Sequence, residues 1–398
     1  MKIALVNNFF LPRISGSAHL TKVLASNLAS LGHDVLVITS DQGSTAGLEE
    51  FDGYSVLRLK CRELPQTRLS MRYDVNFAFS RKNYRILSQA LQDFKPDIIH
   101  QHGQFFDLTW MTSIWARKHK VPVVLTVHTP LIHPGRLLAS LFWIADEILV
   151  RPFLALGRGK VLVVDKFMRN YVSKRYHLKF SEINVIPLAI DVEKFHYRSN
   201  SVVREKYELG DDPVILSIGH VIPLRNRIAL VEAMPMILKR HPRTKVLIVG
   251  DLLDSAFVEL AKELNVEGAL KLIGPIPHDQ ISDFFAAATL ESHDLQGFGL
   301  GTSTLEVMAS EVPVVAVVEG DNFPGIEFVD GRDIVMAPIG NTRVLAEKIC
   351  DLIDDPEAAR KVGMGERKFV EENLSSGRIV EKHLQLYQQL VDENSRNS

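Results

Sequence analysis

The segment Gln296-Gly-Phe-Gly-Leu-Gly-Thr-Ser-Thr-Leu-Glu306 places glycines at 297, 299 and 301 just ahead of an apolar, helix-forming run. Glycines leave peptide N–H groups uncovered, and a following helix adds the positive end of its dipole, so the pair suits a phosphate. In that reading Gly299, Leu300 and Gly301 offer amides and Thr302 and Ser303 add hydroxyls, while Glu306 accepts from two sugar hydroxyls. A plainer reading stays open: Ser303-x-x-Glu306 has the spacing of a capping box, whose carboxylate serves the helix's own amides. A second loop, Gly219-His-Val-Ile-Pro-Leu-Arg225-Asn-Arg227, sets Arg225, with His220 and Arg227, after an apolar run. Guanidinium groups match phosphate oxygens in fork geometry and stay charged at any working pH. A third loop, Asn7 to His19, offers Gly16 to an anionic group at a helix start. His128 follows an apolar run and can hydrogen-bond a substrate, as can His100 and His102. Their spacing carries no metal signature, and the absence of G-x-G-x-x-G and of a P-loop argues against a nicotinamide dehydrogenase and a P-loop NTPase.

These loops need elements to hold them. Ile3–Val6, Asp34–Thr39, Asp97–His100, Pro122–His128, Val161–Val164 and Ile183–Ile186 read as buried strands separated by helical patterns. A polar stretch, Asp191 to Pro213, reads as a linker, or as a linker with a short helix at Val202 to Tyr207. The alternation then restarts with Val214–Gly219, Lys245–Gly250, Leu270–Gly274 and Val312–Val317, and Thr342 to Val391 is helical in pattern. Near-continuous apolar strands alternating with helices mean parallel sheets covered on both faces. The expected fold class is α/β, with two doubly wound domains whose ligands bind outside the carboxyl ends of the strands, in the cleft they share.

At 398 residues the chain exceeds one ordinary domain. Its 46 Lys and Arg against 48 Asp and Glu give no basic excess, so a dedicated nucleic-acid partner is not expected. Cys61 and Cys350 form no CxxC pair, which fits a reducing, cytoplasmic setting. No apolar run has the roughly 20 residues of a membrane span. The stretch Leu137-Leu-Ala-Ser-Leu-Phe-Trp-Ile, flanked by Arg136, Arg151, Arg158 and Lys160, reads either as a packed helix or as a peripheral contact on the inner membrane face.

Met1-Lys-Ile-Ala-Leu-Val with Pro12-Arg-Ile-Ser-Gly16, Leu31-Gly-His-Asp-Val-Leu-Val-Ile, Asp97-Ile-Ile-His-Gln-His102, Val127-His128 and Val185-Ile-Pro-Leu-Ala-Ile-Asp191 occur in that order. Gly219 to Arg225, Gly299-Leu-Gly, Leu305-Glu-Val-Met-Ala309 and Val312-Pro-Val-Val-Ala follow them. This succession resembles the retaining glycosyltransferases called family 4, or group 1, over nearly the whole length. The resemblance implies a GT-B architecture of two Rossmann-like domains facing across a cleft. Residues 1–195 would form the acceptor side, with a C-terminal helix at 376–398 packed back on it, and 205–375 the nucleotide-sugar domain.

It further implies hexosyl transfer from a UDP-, GDP- or ADP-sugar to a sugar, glycan or lipid acceptor, without metal or cofactor. The basic pair that neutralises the diphosphate falls on His220 and Arg225, the ribose-binding glutamate on Glu306, and Gly16 and His128 line the sugar and diphosphate. Arg225, His128 and Glu306 are the expected catalytic set. The family's first motif glutamate falls on Phe298 or Gln296, neither a carboxylate, which leaves Asp294 or Glu291 to contact the donor sugar. Leu188-Ala189 stands where Asn-Gly is usual, and the Gly16 loop lacks its usual carboxylate. A degenerate nucleotide-binding relative and a nucleotide-sugar epimerase of the same architecture are the alternative readings.

Overall fold

The computed structural model describes residues 1–12, 16–64, 75–130, 136–151, 154, 159–199 and 202–396. Arg13, Ser15 and Arg158, singled out above, lie outside them. The chain forms two compact units, Met1–Ala189 with Ser376–Ser398, and Ile190–Ser375.

The first unit is built on β1 (Lys2–Asn7), β2 (Asp34–Ser40), β3 (Gly47–Phe51), β4 (Tyr54–Leu59), β7 (Ile98–His102), β8 (Val123–Val127), β9 (Lys160–Val163) and β10 (Ile183–Val185), with β5 (Arg62–Leu64) and β6 (Val75–Phe77) as a separate ribbon. The sheet order is β10-β9-β8-β7-β1-β2-β4-β3. Its pairings are parallel, save that β3 runs antiparallel along β4. Leu5, Val37 and Val124 turn one way into a core with Leu24, Leu28 and Tyr387, while Val6, Ile38 and Ile99 pack on Leu87, Leu91 and Trp115. Both faces are therefore covered, which is why the strands read as unbroken apolar runs. The Ser376–Arg396 helix supplies part of that cover through Ile379, Val380, Tyr387 and Leu390.

The second unit orders β11 (Val214–Ile218), β12 (Lys245–Val249), β13 (Leu270–Gly274), β14 (Leu290–Asp294), β15 (Val314–Val317) and β16 (Val335–Met336) as β13-β12-β11-β14-β15-β16, all parallel. From β11 the chain winds outward to β12 and β13, then crosses back to β14 and proceeds the other way. The loops after β11 and β14 thus diverge at a switch point, the place in an open parallel sheet where ligands enter.

One expectation needs correction, and one central strand goes unread in the sequence. The stretch from Asp191 is not a free linker at its start, because Phe195 is buried and Arg367 donates to the Val192, Phe195 and Ala309 carbonyls. The strand Leu-Glu-Ser-His-Asp294 is polar in sequence yet lies at the centre of the sheet, its Glu291 and His293 held in a hydrogen-bonded network. No described helix is long and apolar enough to cross a membrane.

Candidate functional site

Arg225 closes a short 3-10 turn, Pro223–Arg225, just beyond β11. Its Nη1 donates to the Ile218 carbonyl at 2.9 Å, which folds the side chain back over the end of its own strand. Glycines shape its berth. A Cβ at Gly219 would stand 2.4 Å from the guanidinium carbon, and one at Gly301 3.0 Å from Nη2. Gly219 also has φ +109°, a conformation side chains resist. The guanidinium is therefore seated between two bare backbones, one of them the N-cap of the Thr302–Ala309 helix. Burial lowers the pKa of Arg225, opposed by the nearby Glu291 carboxyl.

Arg227, buried at the start of the Arg227–Arg240 helix that follows, donates to the carbonyls of Arg225 at 2.9 Å and Gly219 at 3.1 Å. It braces the backbone, and burial brings its pKa down to about 10.

Beneath lies a buried relay. Thr304 Oγ1 is 2.8 Å from His293 Nδ1 and 2.9 Å from Glu291 Oε1, and His293 Nε2 is 3.2 Å from the Gly299 carbonyl. A carbonyl only accepts, so His293 carries its proton on Nε2 and accepts at Nδ1. The single Thr304 hydroxyl proton then goes to His293, which leaves Glu291 to donate its own. A protonated Glu291 agrees with its burial, which pushes its pKa up to about 8, and burial holds His293 neutral with a pKa of about 3. The relay fixes the Gly299 peptide, whose φ of +106° turns the loop toward Arg225.

Glu306 is buried in the second turn of that helix and does not close a capping box. Gly301 is the N-cap, and Ser303 sits inside the helix rather than at its cap. The Glu306 carboxylate instead lies 2.9 Å from His278 Nε2, while His278 Nδ1 is 3.0 Å from the Lys194 ammonium. An ammonium has donors only, so Nδ1 accepts and Nε2–H points at Glu306. Lys194 and His278 were missed in the sequence. His278 follows β13 in Pro-Ile-Pro-His278, so a search of strand-end loops would have found it.

The other expected residues divide. His220 is exposed and turned onto Asp251, with Nδ1 3.0 Å from Oδ2. Leu300 is buried and leaves only its backbone to offer. Thr302 and Ser303 open the helix. Asp294 accepts from Asn226 Nδ2 at 2.7 Å and the Gln296 amide at 2.5 Å, and Gln296 Nε2 donates to the Pro223 carbonyl at 3.1 Å. These side chains stitch the loops after β11 and β14 together. Phe298 is partly buried, its amide donating to the Leu295 carbonyl at 2.9 Å.

Gly16 and His128 belong to the first unit. Gly16 starts the Gly16–Ser30 helix, with open space where a Cβ would be. His128, just past β8, stacks on His102 with Nε2 2.9 Å from His102 Nδ1. His100 does not face outward: it is buried within β7 between Tyr387 and Thr126. His383 packs beside it. Burial, reinforced by neighbouring histidines, holds His100 and His102 well below the usual value, and burial first brings His128 and His383 down to about 4.

A model of Glycosyltransferase Family 4 matches residues 14–194, and one of Glycosyl transferases group 1 matches residues 200–369. The alpha-monoglucosyldiacylglycerol synthase of Streptococcus pneumoniae is 26% identical over 79% of this chain and 71% of its own length. The D-inositol 3-phosphate glycosyltransferase of Kribbella flavida is 24% identical over 67% and 65%. Among solved structures, sucrose-phosphate synthase from Thermosynechococcus elongatus superposes with a TM-score of 0.73 at 18% identity, covering 98% of this chain and 99% of its own. Anabaena HepE in complex with UDP and glucose gives 0.69 at 15%, covering 98% and 100%.

Proposed function

The chain belongs to the group 1 glycosyltransferases of GT-B fold, enzymes that transfer sugar, and from that premise we propose that it moves a hexosyl group from a nucleotide-diphosphate sugar to a sugar, glycan or lipid acceptor, with retention and without a metal ion. One observation carries the reading: Arg225 is seated against the Gly301 N-cap of the helix that presents Glu306.

Breaking a glycosyl phosphate bond builds negative charge on the departing diphosphate and positive charge on the sugar ring. Arg225 and the amides at Gly301 and Thr302 meet the diphosphate charge, in the place a divalent cation would otherwise serve. A fixed donor of this kind is worth roughly 2.7–4 kcal/mol in the transition state. Glu306, held by His278, accepts from the ribose hydroxyls. The His293–Thr304–Glu291 relay keeps the Gly299 loop in place without adding a charge beneath the phosphates.

Thermal denaturation with UDP, GDP and ADP tests the reading. The fitting nucleotide at 100 times its dissociation constant adds roughly 2.7 kcal/mol, and Arg225→Ala removes the shift. A wild-type protein that none of them stabilises would overturn it. A relative that binds nucleotide without turnover is the second reading, favoured by the resemblance's first motif glutamate falling on Phe298 or on Gln296, whose carboxamide is engaged on Pro223. Sugar release or transfer from any nucleotide sugar rules it out.

A further inference from the structure

The Arg136–Ala145 helix of the first unit runs on into a π-helical turn, Asp146–Val150. A packed helix would bury its apolar side chains, yet Leu137, Leu141, Ile144 and Ile148, spaced to fall on one face, are 75%, 50%, 44% and 64% exposed. Trp143 beside them is 52% exposed. The acidic residues of the segment are turned away and answered. Asp146 is buried against Arg175 and Tyr176, and Glu147 is paired with Arg151 at 2.8 Å.

The Lys166–Tyr176 helix packs on that π-helical turn. Residues 166–180 contain Lys166, Arg169, Lys174, Arg175 and Lys179 and no acidic residue. Lys174 and Lys179 are exposed, as is Phe180, over whose ring Arg169 sits. The whole chain carries a net charge of −2, so this concentration of cations is local.

An apolar stripe with a tryptophan, its own two carboxylates buried or ion-paired, beside a helix rich in cations, matches an interface that is apolar within and anionic at its rim. The exposed Glu182 beyond that helix is turned onto the Lys179 backbone N–H. We propose that the 136–150 segment is a docking surface for an anionic lipid bilayer, with Leu137, Leu141, Trp143, Ile144 and Ile148 entering the headgroup boundary and Lys174 and Lys179 meeting the phosphates. The charge complement selects a bilayer over a second copy of the chain, whose matching face would be equally basic.

Flotation of the full chain with vesicles of about 70% phosphatidylcholine and 30% phosphatidylglycerol tests this. The protein floats at about 50 mM salt and is largely released at about 500 mM, and its tryptophan emission shifts to the blue on binding. Leu141→Glu with Ile144→Glu abolishes flotation at an unchanged melting temperature, and Trp143→Ala removes most of the emission shift. Lys174→Glu with Lys179→Glu weakens binding by more than about fivefold. Wild-type protein that stays unbound, or a Leu141→Glu, Ile144→Glu variant that floats as wild type, overturns the proposal. So does light scattering that finds a dimer broken by that variant, with no vesicle binding. Because none of these readouts uses a nucleotide, their failure leaves the transferase reading untouched.

Discussion

His278 holds Glu306 by a 2.9 Å contact from Nε2 to Oε1, and Lys194 on its other nitrogen fixes which edge of the ring carries the proton. A buried carboxylate oriented in this way presents its remaining acceptor capacity in one direction. Glu306→Gln keeps the shape and replaces a charged acceptor, so nucleotide affinity should fall roughly tenfold to a hundredfold. His278→Ala should lower it less. Titration calorimetry with the stabilising nucleoside diphosphate checks both.

Arg225→Ala should reduce kcat/KM by about a hundredfold to a thousandfold, as expected for a lost transition-state donor. Arg225→Lys should recover little of it, because an ammonium can neither lie flat between Gly219 and Gly301 nor bond in fork geometry. Steady-state turnover of the accepted nucleotide sugar measures the difference.

Gly219→Ala should act through Arg225. The added methyl would meet the guanidinium carbon at 2.4 Å, at a φ of +109°. The cost is about 1–3 kcal/mol of backbone strain, together with a displaced arginine. A lower urea midpoint accompanied by weakened nucleotide binding is the expected pair of results.

The histidine cluster makes stability depend on acid. His128 and His383 have folded pKa values of about 4 against 6.5 for a free imidazole, and His100 and His102 are lowered as well. As pH falls from about 6.5 toward 4, the unfolded chain takes up protons that the folded one refuses, so stability is complete above that window and declines within it. His383→Leu removes one proton acceptor and should make the decline shallower between pH 7 and 5, by roughly one proton. Denaturant melts across that range read the slope.

Glu291 works in the opposite sense. Its pKa is raised from 4.5 to about 8, so its share of stability is whole below 4.5 and is lost as pH rises through 8. Glu291→Gln keeps a donor toward Thr304 and cannot ionise. The variant should gain on wild type as pH rises, by up to about 1.4 kcal/mol per pH unit between about pH 5 and 8 and no further above that, as measured by urea unfolding.

Most strands buried on both faces were legible from their apolar runs, and β13 was read from Leu270 to Gly274, but β4, whose apolar run is broken by Ser55 and Arg58, was not. Nor was β14, since Glu291, Ser292, His293 and Asp294 lack the apolar run by which a buried strand is recognised. Only the relay through Thr304 explains how such residues can lie mid-sheet, and that relay joins residues whose partners sequence spacing does not reveal. Arg225 and the glycines around 299 were visible because strand-end position and residue type agree. Nothing in the sequence shows that Asp251, after the neighbouring strand, holds the His220 ring. The apolar helix at 137 could be read two ways, and which side faces solvent is a property of its packing alone.

The Ser376–Arg396 helix has a consequence for the order of assembly. Every residue of the second unit, Ile190–Ser375, leaves the ribosome before the helix whose Tyr387 bonds His100 inside the first sheet. The N-terminal half must therefore wait, part of its sheet uncovered, while the later half has all its residues. In nascent chains halted near residue 375, protease should cut the earlier-made half more readily than the later-made one.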